Sequence, residues 1–358
     1  MKKLKSLNKY TRTSITSYSI VAVGYVAMTL LSSFGVLNNS ITGQLVPICT
    51  YIVLAVSLNL TVGVLGELSL GHAGFMSVGA FTGAVVSVAL TDAIPVAPVR
   101  LFVAVIIGGI FAGIAGLIIG IPVLRLSGDY LAIVTLAFGE IIKNILNCLY
   151  VGVDERGLHI GMVSVEALNL SENGTAIIKG PQGAVINQRI STFTAAAILL
   201  VFALFIVLNL IYSKTGRAIT SIRDNQIAAE SVGIGVTRYK LTTFVISAVL
   251  AGMAGTMYAL NYSTVAAKKF DFNLSILILV FVVLGGMGNI VGTIIATTVL
   301  YMLPELLRQF SDYRMLIYAV VLIAVMLMTN STGAKNFRAR LFDMLRFKKK
   351  GIGGADDV

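Results

Sequence analysis

Apolar runs near residues 17–37, 45–64, 75–90, 100–122, 130–150, 192–212, 241–262, 273–290, 291–309 and 315–330 take up most of the chain. Each approaches the length of about 20 residues that a helix needs to cross the hydrocarbon of a bilayer. Over all 358 residues, 57% are hydrophobic and 12% are charged. A soluble domain carries roughly 45–50% and about 25% and could not cover this much apolar surface with a polar exterior. A soluble enzyme and a disulfide scaffold are thereby excluded. The expectation is an all-α, polytopic transmembrane helical bundle of about ten spans, within a range of about 8–11. The run at 17–37 is too long for a signal-peptide core and lacks a convincing cleavage site, which predicts an uncleaved first span.

The net charge of +11 is informative through its placement. Most lysines and arginines fall in three stretches: Lys2, Lys3, Lys5, Lys9 and Arg12; Lys214, Arg217, Arg223, Arg238 and Lys240; and Lys335, Arg338, Arg340, Arg346, Lys348, Lys349 and Lys350. Clusters flanking apolar runs mark cytoplasmic sides and favour anionic lipid, so no nucleic-acid partner is expected. This places both termini and the 213–240 loop inside, and the nearly charge-balanced 151–191 loop outside. Lys268 and Lys269 conflict, falling on the external side. Cys49 and Cys148 sit in apolar runs, and with only His72 and His159 no metal cluster is expected.

Small residues recur at short spacing, as in Ala112-Gly-Ile-Ala-Gly116 and its echo Ala251-Gly-Met-Ala-Gly255, a pattern that lets helices approach closely in lipid. Two glycine clusters exceed what packing needs: Ser69-Leu-Gly71-His72-Ala-Gly74 and Gly285-Gly286-Met-Gly288-Asn289. Both predict broken or re-entrant helices at membrane depth, where irregular backbone is tolerated only if buried or lining a cavity. Such breaks point to a transport path. Glu140 and Lys143 are three apart and able to pair, either as a structural ion pair or as part of the path. Glu305 and Arg308 repeat that spacing as an anchor. No phosphate-binding loop or catalytic motif is present, so the chain is read as no enzyme. Between spans six and seven, Asp224 or Asn225 can cap a short helix that Gly233 ends. The result is a cytoplasmic knob shaped for a partner's groove or, alternatively, a lipid-surface helix.

The strings Gly66-Glu-Leu-Ser-Leu-Gly-His-Ala-Gly-Phe75, Gly128-Asp-Tyr-Leu-Ala-Ile-Val-Thr-Leu-Ala-Phe-Gly-Glu140, the 216–240 loop and Leu284-Gly-Gly-Met-Gly-Asn-Ile-Val-Gly292 occur in that order. Together they resemble the LivM-type permeases of branched-chain amino acid ABC transporters. The resemblance implies a membrane-spanning permease subunit of an ATP-driven importer in a prokaryotic plasma membrane, moving leucine, isoleucine or valine by alternating access. Its implied partners are a second, LivH-like permease, two cytoplasmic ATPase subunits that bind ATP-Mg, and an external substrate-binding protein; this chain holds no cofactor. Similar permeases carry other small amino acids or urea-like amides, and an ion-coupled secondary transporter is the rival outside the family. The organisation expected is a basic N-terminus (1–16), a permease domain (17–330) and a basic tail (331–358). Substrate-path candidates are Ser69, Gly71, His72, Gly74, Glu140, Gly285, Gly286 and Gly288. The resemblance matches Ile222, Arg223, Asp224, Ala228, Ala229, Glu230 and Gly233 to the ATPase-contacting loop.

Overall fold

A computed structural model describes residues 9–35, 39–126, 128–171, 174–308, 313 and 316–323. Lys2, Lys3, Lys5, half of the tenth expected span and the basic tail lie outside the described residues. The long helices are α1 (Lys9–Ser33), α2 (Asn39–Asn59), α3 (His72–Ala89), α4 (Ala97–Val123), α5 (Asp129–Cys148), α6 (Phe193–Tyr212) and α9 (Val236–Ala259). Between the last two lie α7 (Lys214–Asp224) and the six-residue α8 (Gln226–Ser231); α10 (Phe272–Gly285) and α11 (Ile290–Leu306) follow α9. The seven long helices contain stretches long and apolar enough to cross a membrane, and the all-α polytopic membrane bundle expected from the sequence stands. The eighth and ninth spans come out shorter than the sequence suggests: at ~1.5 Å per residue, α10 is only about 21 Å long. In the unit that begins at Leu300, the Nη1 of Arg308 donates to Glu305 Oε1 at 3.3 Å, as the spacing predicts.

The rest is organised around α2, which is buried from Leu45 onward, whereas α1 is mostly uncovered. Outward-facing Val23, Phe102, Ile118, Ile133, Ile198 and Phe205 give the bundle an apolar exterior, the inverse of a soluble surface. The echoed Ala-Gly phrases of α4 and α9 turn out to face each other. A Cβ on Gly252 would lie 2.3 Å from the Cβ of Ala112, and one on Gly116 2.6 Å from that of Ala248. Their recurrence reflects close helix packing, which in lipid relies on dispersion contacts between small residues.

The 151–191 loop, expected as a loop only, carries a sheet. Strands β1 (Tyr150–Asp154), β2 (Gly157–Gly161), β3 (Thr175–Lys179) and β4 (Ala184–Val185) are joined by β5 (Thr264–Val265), in the antiparallel order β2-β1-β3-β4-β5. Because β5 leads into Lys268 and Lys269, these lysines share an end of the bundle with the 151–191 loop. The Nζ of Lys269 sits 5.1 Å from the centre of the Tyr262 ring, an attraction that accommodates a cation there.

The β1–β2 turn is held by Asp154. Enclosure alone would raise the pKa of its carboxyl, but N–H donation from Arg156 at 2.8 Å and Ser171 at 3.3 Å, with the His159 ring at 3.0 Å, outweighs it and holds the pKa below the usual carboxylate range. A carboxylate more acidic folded than unfolded stabilises the fold above the unfolded value of about 4, and that stability is lost as pH falls through the folded value. Protease cleavage of the 155–171 segment should therefore accelerate below about pH 4. Asp154→Asn should show the faster cleavage already at pH 7 and lose the pH dependence.

Candidate functional site

Both glycine clusters break helices, and both breaks rest on α2. The end of α2 passes into a π-helical turn, Leu60–Leu65, closed by Gly66 at φ +83°, a conformation that favours glycine. Residues 66–71 are not helical, and α3 begins at His72. The Nε2 of His72 lies 2.8 Å from the Oγ of Ser57. Ser57 precedes Leu65 by eight residues, so the 66–71 segment climbs back past the π-turn to the depth of the last turn of α2. There its backbone is met by side chains: Thr135 Oγ1 accepts from the Leu70 N–H at 3.1 Å, and Ser275 Oγ from the Ala73 N–H at 3.2 Å. A Cβ on Gly71 would lie 2.3 Å from the carbonyl oxygen of Thr135. Ser69 is buried, and its Oγ has no partner. A buried hydroxyl without a partner is uncommon in a folded protein.

The second break, Gly286–Asn289, lies against the π-turn. Asn59 holds it with both ends of its amide: Oδ1 accepts from the Gly288 N–H at 2.8 Å, and Nδ2 donates to Thr293 Oγ1 at 2.8 Å. A Cβ on Gly63 would fall 2.2 Å from the Gly288 nitrogen, and one on Gly285 2.5 Å from Thr293 Cα. Thus His72 reaches α2 at Ser57 and Gly288 reaches Asn59 and the π-turn at Gly63, whereas Gly71 and Gly74 pack against α5 at Thr135 and Gly139, and Gly285 and Gly286 against Thr293 and Asn289. Glu140 pairs with Lys143 and shares with Gly74, Asp271 and Ser275 a crevice of only about 10 Å³. No passage wide enough for an amino acid opens there. A cavity of about 600 Å³ between α4, α6 and α9 is lined almost entirely by apolar side chains such as Phe102, Ile198 and Met257. It offers a zwitterion little.

The segment joining α6 to α9 is the third part. Asn225 is the cap of α8: its Oδ1 accepts from the Ala228 N–H at 3.0 Å, and Gly233 leaves the helix at φ +84°. Asp224 instead ends α7 and pairs with Arg223 at 3.1 Å. Ile222 and Ala229 are buried, packing with Val236 into a small core, whereas Ala228, Glu230 and Gly233 are exposed. Sequence reasoning passed over Ile227 and Val232, which are 78% and 76% exposed and present an apolar tip. It also passed over α7, whose buried Gly216, Ile219 and Ile222 recur at three-residue spacing and would have marked an amphipathic helix.

Two contacts fasten this segment to the first break. The Nη1 of Arg223 donates to the Gly63 carbonyl at 3.0 Å, and the arginine stem covers Gly66. Lys240, buried at the start of α9, pairs with Glu67 and donates to Gln226 Oε1 at 3.1 Å. Lys240 thus joins the first residue of α8 to the residue following Gly66. Ser57, Asn59 and Thr61 were also missed, although polar residues inside an apolar run are the signal for them. Thr61 donates to Ser247 Oγ at 2.9 Å, and Ser247 donates to the Ser57 carbonyl at 2.5 Å, tying the π-turn to α9. Among the described residues no His, Cys, Asp and Glu group could hold a metal ion.

A family model described as "Branched-chain amino acid transport system / permease component" matches residues 40–327. The chain belongs to that family. It is 36% identical over 290 residues to the high-affinity branched-chain amino acid transport system permease proteins LivM of Salmonella typhimurium and Escherichia coli. The match covers 77% of this chain and 66% of each relative, so it spans just under two thirds of their length. A probable branched-chain amino acid transport permease protein LivM of Methanocaldococcus jannaschii is 24% identical over 214 residues, 60% of this chain and 57% of the relative. No solved structure matches the chain.

Proposed function

We propose that this chain is the translocating permease subunit of an ATP-driven importer of branched-chain amino acids. One observation carries the reading: α8, capped and apolar-tipped, is latched through Lys240 and Arg223 to the helix break at Gly66. A partner that grips Ile227 and Val232 and moves α8 pulls directly on the 66–71 segment. The family match and the LivM relatives support the substrate class, leucine, isoleucine and valine. The basic residues of α7 and of the start of α9 assign that end of the bundle to the cytoplasm by the positive-inside rule, so the five-stranded sheet faces outward and both termini lie inside.

In this reading two cytoplasmic ATPase subunits hold ATP-Mg and seat α8, a second permease completes the pathway, and an external binding protein delivers substrate on the sheet side. When the ATPases close, α8 carries Lys240 and Arg223 with it. The π-turn and the 66–71 segment move against Ser57 and Ser275, opening the closed crevice beside Glu140. Backbone groups at Gly71 and Gly74, the orphan Ser69 hydroxyl and the turn at Gly285, Gly286 and Gly288 then receive the zwitterion. Discontinuous helices present such groups where intact ones cannot.

The test replaces exposed side chains only, so folding is spared. Ile227→Asp with Val232→Asp, in the full assembly in vesicles, should leave the chain inserted and lower substrate-stimulated ATP hydrolysis and uptake at least tenfold. Unchanged coupling, or uptake driven by an imposed ion gradient without nucleotide, would overturn the reading.

A further inference from the structure

A second polar cavity, of about 230 Å³, lies at the sheet end between the last turn of α3 and the first turn of α4, roofed by the segment from β3 to Gln188. Arg100, on α4, lines it and is 2% exposed. Its Nη2 donates to Gln188 Oε1 at 2.7 Å, while its Nε is buried with no partner. Among the described residues no carboxylate pairs with it. A buried guanidinium without a counter-charge is strongly unfavourable. Holding Gln188 in place would need only a neutral donor.

The opposite wall has the opposite polarity. Asp92, exposed just beyond α3, lines the same cavity, as do Ser87 and Thr91 at the carbonyl end of that helix. The first turn of α4 supplies the positive end of a helix dipole, and the last turn of α3 the negative end. We propose that this cavity is an external receiving site for a free amino acid. Arg100 takes the α-carboxylate and Asp92 the α-ammonium, some way from the helix breaks. Arginine suits a carboxylate because its N–H groups match both oxygens. The neutral surroundings of Val88 and Ile186 leave space for an aliphatic side chain. The amino-acid class rests on the function proposed above; the site itself rests on Arg100.

The test uses the complete purified assembly in nanodiscs, without the external binding protein, titrated with leucine, leucinol (no carboxylate), 4-methylpentanoate (no ammonium) and inorganic phosphate. Leucine should bind saturably. Leucinol should bind at least about 30-fold more weakly, and Arg100→Gln should weaken leucine by a similar factor, as expected for removal of one member of a buried charge pair. Asp92→Asn, on an exposed residue, should weaken leucine while leaving 4-methylpentanoate unchanged; it keeps the test available if Arg100→Gln fails to fold. Leucine affinity unaltered in Asp92→Asn or Arg100→Gln, leucinol competing as well as leucine, or phosphate competing equally would overturn the assignment. Coupled uptake that still depends on Ile227 and Val232 would then leave the importer reading standing, and only the external site would fall.

Discussion

Lys240→Met should lower the stability of the protein by about 3–5 kcal/mol, the usual consequence of removing one member of a buried ion pair. The side chains of Lys240 and Glu67 are 5% and 13% exposed, so water compensates neither. With the ammonium gone, the Glu67 carboxylate is left almost enclosed at the exit of the π-turn, and Gln226 Oε1 loses its donor as well. Thermal unfolding followed by fluorescence in nanodiscs measures the drop. The second half of the prediction separates stability from transmission. Replacing both partners by apolar residues is often neutral, so Lys240→Met with Glu67→Met should recover most of the lost stability. Uptake per ATP hydrolysed should stay depressed at least tenfold, because α8 no longer holds the 66–71 segment. If the double variant recovers transport along with stability, the pair only holds the fold together.

That pair also shows where sequence reasoning stops. Glu67 and Lys240 are 173 positions apart, each beside a motif that was legible, yet nothing local says that they meet. The breaks themselves were legible because clustered glycines weaken a helix wherever they fall, and an apolar run makes the interruption conspicuous. The knob was legible because Asn225 and Gly233 carry the chemistry of a helix start and stop. By contrast, α7 was hidden among basic residues that read as a charged loop, although Ile219 and Ile222 kept helical spacing. The same holds on the sheet side: β4 pairs with β5, Ala184 opposite Val265, and a two-residue strand gains its identity only from a distant partner. Once that pairing is seen, the awkward position of Lys268 and Lys269 is a consequence of the strand before them.

Asn59 and Ser57 make the point for the site. Both are polar residues scattered through a run that otherwise reads as a plain span, and from Leu45 to Leu65 that run is indeed helical and buried. The meaning of Asn59 lies in the Gly288 N–H and the Thr293 hydroxyl it satisfies, and that of Ser57 in His72. Hydropathy registers the lipid-like character of a helix; it does not register which buried donor an amide is there to meet. The two breaks therefore looked like separate candidates, when α2 is the element common to both.

Gly255→Val should abolish the close approach of α3 and α9, and with it the recovery of folded protein from membranes. A Cβ at Gly255 would stand 1.9 Å from the Met76 carbonyl oxygen and 3.1 Å from the Ala80 nitrogen. Both are backbone atoms, so no side-chain rotation relieves the clash and the helices must separate. Separation strips contacts along an interface that includes Gly79 against Gly252 and Gly83 against Thr256, and breaks the 2.8 Å hydrogen bond from Thr256 Oγ1 to the Gly79 carbonyl. Overpacking of this kind typically costs 1–3 kcal/mol where side chains can adjust; here the expectation is about 3 kcal/mol or more, seen as loss of the monodisperse peak after extraction and a lowered Tm. Gly43→Ala is the control. It lies inside α2, and a Cβ there meets nothing within 4 Å, so it should be neutral or stabilise slightly, since alanine suits a helix better than glycine by roughly 0.5–1 kcal/mol. A Gly255→Val protein as stable as the Gly43→Ala control would mean that α3 and α9 do not pack at the distance described, and the alignment of the 66–71 break with Ser57 and Ser247 would have to be abandoned with it.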